Sequence, residues 1–117
     1  MTEKDLLIRT KKFALRIIKL VDALPKTTAG RAVGGQLVRS GTSVPANYRA
    51  ACRGRSKADF IAKLGIVEEE ADESALWLEL IAESGMLEER MVADLLREAR
   101  EITAIMSVSK ITARVHR

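Results

Sequence analysis

The stretch Gln36–Arg55, QLVRSGTSVPANYRAACRGR, decides the fold. Within it Leu37, Gly41, Val44, Tyr48 and Ala51 recur at steps of 4, 3, 4 and 3. Gln36, Ser40, Ser43 and Asn47 recur at steps of 4, 3 and 4. Residues three and four apart share one face of an α-helix, so an apolar stripe runs beside a polar one. Neutral hydrogen-bonding groups in that position predict a buried polar network against a partner helix. Such a network stabilises only when every member is satisfied. Pro45 interrupts the pattern. It lacks an amide donor and its ring meets the carbonyl of Gly41, so a kink or break is expected near Thr42-Ser43, whose hydroxyls can bond freed backbone groups.

The same periodicity continues on both sides. Leu6, Thr10, Phe13, Ile17, Leu20 and Leu24 step by 4, 3, 4, 3 and 4, which predicts a first helix over residues 3–24, stopped by Pro25. The second helix is expected over 28–54, capped by Thr27 or Thr28 and closed by Gly54 in a left-handed conformation. Gly34 and Gly35 weaken it by ~1 kcal/mol each relative to alanine unless close packing needs them. Ser56 and Asp59 resemble a capping box opening a third helix over 57–84, with the seam Phe60, Leu64, Val67, Ala71, Ser74, Leu78 and Ile81. Gly85 ends it. A fourth helix follows over 87–113 with Val92, Leu95, Ala99, Ile102, Met106, Ser109 and Ala113 inward. Connections of two to four residues force antiparallel neighbours. The expected fold is all-α, an antiparallel up-down four-helix bundle forming one domain over residues 1–117.

Composition agrees. A chain of 117 residues with 47% hydrophobic and 3% aromatic residues closes one aliphatic core. No apolar run approaches the ~20 residues that span a bilayer. MTEKD lacks the basic, apolar and cleavage regions of a signal peptide. The single cysteine, Cys52, excludes an intrachain disulfide. A reducing cytoplasmic location is the expectation.

Net charge is +4, unevenly spread: residues 1–63 hold 14 Lys/Arg against 4 Asp/Glu, and residues 64–117 hold 6 against 12. Opposite halves can neutralise each other within the fold, pair between subunits, or leave a basic surface for nucleic acid. Arg9, Lys12, Arg16 and Lys19 form a stripe at steps of 3, 4 and 3. With Arg49 and Arg53 they are the candidate nucleic-acid surface, since backbone phosphates ask for cations and little else. The competing reading pairs this stripe with Glu68, Asp72, Glu79 and Glu83 of a neighbouring subunit. The polar stripe is expected to meet a carboxylate among Glu69, Glu70 and Glu73, with Arg39 joining that group. Ile8, Leu15 and Ile18 on the first helix, and Leu76, Trp77 and Leu80 on the third, lie outside the core seams. A lone bundle has no internal use for them, so they are the candidate oligomer interface.

Catalytic chemistry finds no footing. The lone histidine, His116, is penultimate, and no Glu-x-x-His pair exists to build a di-iron bundle. Glycines 30–41 lack the Lys-Ser/Thr ending of a phosphate loop. Neither an enzyme nor a metal or other cofactor is expected.

Two segments carry a family resemblance: QLVRSGTSVPANYRAA (36–51) and SKADFIAKLGIVEEEADESALWLEL (56–80). They resemble the small four-helix-bundle proteins named for reading frames in intervening sequences of bacterial 23S rRNA genes. The most specific matches are the R-S-x-x-S-V-P-A-N pattern at Arg39–Asn47 and E-E-A-D-E-S-x-x-W-L at Glu69–Leu78. The resemblance implies homopentameric rings. It also implies likeness in fold to the accessory variability determinant protein of diversity-generating retroelements, associated with RNA or DNA binding and a reverse transcriptase partner. Most members have no assigned activity.

Overall fold

A computed structural model describes residues 1–116. Four helices follow one another: α1 (Glu3–Asp22), α2 (Thr28–Cys52), α3 (Lys57–Glu83) and α4 (Glu89–Val115). Among the described residues there is no strand. The bundle is elongated, 49 × 21 × 19 Å along its principal axes.

Side-chain pairings fix the directions. Gly34 lies against Val21 and Leu24, and Gly41 against Ile17, so α2 runs back along α1. Glu68 pairs with Lys110 and Glu79 with Arg100, so α4 runs back along α3. With only Arg53–Ser56 between them, α2 and α3 are also antiparallel. The bundle is up-down-up-down.

Local chemistry sets the helix ends. Thr2 and Asp5 form a reciprocal capping box on α1, and the hydroxyls of Thr27 and Ser56 accept the amides of Gly30 and Asp59. The reverse bond from Asp59 is absent, so Ser56 is a simple cap. α3 closes through Gly85 at φ +79°, where the Gly85 amide donates to Ala82 and the Met86 amide to Ile81. This is the paired bonding that a left-handed residue after a helix allows. Gly54 does not take that conformation, contrary to the sequence expectation; Gly85 alone has positive φ among the described residues. Gly54 is instead small because a Cβ there would lie 3.0 Å from the Ala51 carbonyl and 3.1 Å from Asp59 Oδ2.

The apolar stripe of the deciding stretch is fully inward: Leu37, Gly41, Val44, Tyr48 and Ala51 are all buried. They join Phe13, Ile17, Leu64, Val67, Leu78, Ile81, Ile102 and Met106 in one core. Phe60, expected in the α3 seam, is half-buried at its edge, because it sits one turn inside the exposed N-terminus of α3. α2 is unbroken across Pro45. Around the proline, Thr42 donates to the Val38 carbonyl, Ser43 to Arg39 and Asn47 to Ser43.

Candidate nucleic-acid and subunit interfaces

The polar stripe divides. Ser40 is completely buried and its hydroxyl meets that of Ser74 at 2.8 Å; Ser74 also donates to the Glu70 carbonyl. Arg39 reaches across from α2, donating to Glu70 (2.9 Å) and to Glu73. Gln36 accepts from Arg39 and stays exposed. Ser43 and Asn47 bond their own helix backbone and do not reach α3, and Glu69 is exposed without a hydrogen bond among the described residues. The physical reason is reach. Short side chains flanking a proline find i−4 carbonyls first, while arginine spans the gap to the carboxylates. Glu73 also accepts from Trp77 Nε1 at 3.1 Å; this bond first, then Arg39, holds its carboxyl below the usual range. Among the described residues no buried side-chain nitrogen or oxygen lacks a partner.

The basic stripe divides too. Arg9 faces α4 and grips Glu98 with two bonds of 2.7 Å, with Glu101 at 3.4 Å. Lys12 and Lys19 are exposed and Arg16 is half-buried. Arg49 and Arg53 lie elsewhere, on the α1–α2 groove with Leu7, Ile8, Lys11 and Cys52. Burial pushes the Cys52 thiol up, the direction opposite to thiolate activation.

Charge matching within the chain is limited. Of the fourteen Lys/Arg in residues 1–63, only Arg9 and Arg39 form ion pairs among the described residues. Glu68 and Glu79, half of the carboxylate flank of α3, are taken by Lys110 and Arg100 of α4. Asp72 and Glu83 stay exposed. One signal went unused in the sequence: no carboxylate lies between Asp22 and Asp59, so α2 and both its connections carry positive charge alone. Arg31, Arg49, Arg53 and Arg55 are all exposed there.

The apolar residues outside the core are displayed. Ile8 and Leu15 are each 59% exposed, Ile18 43%, Leu76 48% and Leu80 42%; Trp77 is half-buried, packed against the edge of the core and bonded to Glu73. On α1 they alternate with lysines, giving Lys4, Ile8, Lys11, Leu15 and Ile18 at steps of 4, 3, 4 and 3. On α3 they are interspersed with carboxylates, giving Ile66, Glu69, Glu73, Leu76, Leu80 and Glu83 at steps of 3, 4, 3, 4 and 3, of which Glu73 is held by Arg39. A further exposed stripe, Val108, Ile111 and Val115, ends α4. It escaped the sequence reading because the seam followed there was the inward one.

Among the described residues no three His, Cys, Asp or Glu gather to hold a metal, and no helix is long and apolar enough to cross a membrane.

Fold and surface together define a small antiparallel four-helix bundle with displayed apolar and basic faces. Over residues 3–108 the chain matches the family model for the 23S rRNA-intervening sequence protein, and it belongs to that family. A crystal structure from Bacteroides thetaiotaomicron, a protein with unknown function from the S23 ribosomal protein family, is similar: 33% identity, TM-score 0.81, over 86% of this chain and 94% of that one. No curated protein matches.

Proposed function

We propose that the chain is a non-enzymatic cytoplasmic scaffold that assembles into a ring of identical subunits and binds nucleic acid through the basic surface of α1 and α2. The observation that carries the binding reading is the surplus of positive charge. Twelve of the fourteen N-terminal Lys/Arg have no ion pair among the described residues, and α2 has no carboxylate of its own. Cations without protein partners are what a phosphate backbone recruits. The set includes Lys12, Arg16, Lys19, Arg49 and Arg53; Arg9 is committed to Glu98 and contributes field rather than contact.

Two observations support the ring. The exposed seam of α1 mixes apolar residues with Lys4 and Lys11, and that of α3 mixes them with Glu69 and Glu83, so one subunit's α1 complements its neighbour's α3. One residue of each patch also reaches toward α2. Ile8 lines the groove with Arg49, and Trp77 bonds Glu73, the partner of Arg39. A contact between two different faces closes into a ring when its rotation permits. Five subunits is the number that family likeness gives, and a reverse transcriptase is the partner it gives.

The displayed apolar faces favour a second reading, a protein-interaction scaffold that binds no nucleic acid. Filter binding of RNA and DNA against salt separates the two. The main reading expects sequence-tolerant binding that weakens with salt, and a weaker, flatter dependence for Arg49→Glu/Arg53→Glu. Salt-insensitive or absent binding by the wild type supports the second reading.

A further inference from the structure

Three of the four neighbouring helix pairs pack closely, while α1 and α4 approach least. Depressions follow that open seam, and the Arg9–Glu98 pair crosses its middle. The depression between the end of α1 and the start of α4 differs from the rest. Its floor is apolar: Leu20, Leu87 and Leu95, with Met91 beside them at 48% exposure. Its volume is about 410 Å³. The α4 rim is self-neutralised, since Arg90 pairs with Glu88 and Asp94 with Arg97, both at 2.9 Å. The α1 rim is not: Arg16 and Lys19 form no ion pair among the described residues.

We propose that this groove docks a short amphipathic helix of a protein partner. Two leucine-like anchors three or four residues apart would fill the floor, and carboxylates on the partner's flank would face Arg16 and Lys19. An apolar floor between two helices takes a third helix by its i and i+3 or i+4 side chains. A cationic wall without ion pairs of its own selects an acidic flank. A nucleic-acid backbone drawn to Arg16 and Lys19 leaves the floor open, because it offers phosphates but nothing to cover leucines. A second copy fits poorly for a reason that rests on the ring reading: of the ring patches only Ile8 reaches the α1–α4 seam, and none of their residues lines this groove.

The probe is a fluorescein-labelled, stapled helical peptide with leucines at i and i+4 in a glutamate–alanine frame. Its control has lysine for every glutamate. Anisotropy with the full-length protein should show the glutamate peptide binding at least ~10-fold more tightly than the lysine peptide. Met91→Asp should abolish saturable binding, and Arg16→Glu/Lys19→Glu should remove the preference for glutamate. Arg49→Glu/Arg53→Glu should leave the peptide affinity unchanged. Equal binding of the two peptides would overturn the proposal, as would wild-type affinity in Met91→Asp. Dissociation of the oligomer by Met91→Asp would also overturn it, because the groove would then be a subunit contact. Absence of nucleic-acid binding by the wild type with peptide binding intact counts against the earlier reading and leaves this one standing.

Discussion

Arg9 was expected on a surface stripe, and α4 claims it. Its side chain is 26% exposed and that of Glu98 16%, and the two share a bidentate contact. Guanidinium and carboxylate forks match in this geometry, which makes such pairs stronger than a point contact. The bond to Arg9 holds the Glu98 carboxyl below its ordinary range. A carboxylate depressed in the folded state adds stability above its unfolded pKa, about 4.3, and that stability is lost as pH falls through the lower folded value. The melting midpoint of the wild type should therefore exceed that of Glu98→Gln near neutral pH. The gap should narrow below about pH 4. A constant gap from neutral to acid pH would show that the pair's charge contributes nothing.

Two glycines of α2 make opposite predictions at the same scale. A Cβ on Gly41 would meet Ile17 Cγ1 and Cγ2 at 2.9 Å, whereas one on Gly35 would meet nothing within 4 Å. Gly35→Ala should raise stability by roughly 0.5–1 kcal/mol through helix propensity. Gly41→Ala should lower it, because the α1–α2 contact must open. Thermal unfolding of the two variants side by side checks the pair. A gain from both would mean that α1 yields freely.

At the scale of elements, the core was legible wherever side chains were apolar and periodic. The seam Leu37 to Ala51 is inward without exception, and so is Leu64 to Ile81. Periodicity reports which face is buried, not how far along the helix burial extends, so Phe60 near the start of α3 was over-assigned. Phe60→Ala is thus expected to cost less than the ~3–5 kcal/mol of a full core site. Hydrogen-bond partners were only partly legible. The meeting of Arg39 with Glu70 and Glu73 followed from placing opposite charges on facing helices. The Ser40–Ser74 contact did not, because two neutral hydroxyls carry no charge to pair by. Ser43 and Asn47 turned to their own backbone, a choice decided by distances that a sequence does not contain. Asn47→Ala and Thr42→Ala should accordingly be similarly mild in chemical denaturation. A markedly larger effect at Asn47 would point to a partner outside this chain.

At the scale of the whole molecule, two properties need to be joined: displayed apolar seams and surplus positive charge. Leu80 is 42% exposed and outside the core, so Leu80→Glu should dissociate the proposed ring while leaving the helices folded. Light scattering with circular dichroism on that variant checks it. An intact oligomer would move the interface away from α3. Charge acts over the assembled surface. On a ring, the unpaired cations of each α1 and α2 would repeat around the circumference. Each phosphate contact should then add about 0.9 to the logarithmic salt slope on duplex DNA, or about 0.7 on single strands. The most direct measurement is sedimentation velocity of the wild-type protein with a fluorescently labelled RNA strand, at low and at high salt. The expected result is a protein boundary heavier than one subunit in both conditions, with the label travelling in it at low salt and released at high salt. A boundary of monomer mass, or a label that never joins the protein, would contradict the scaffold described here.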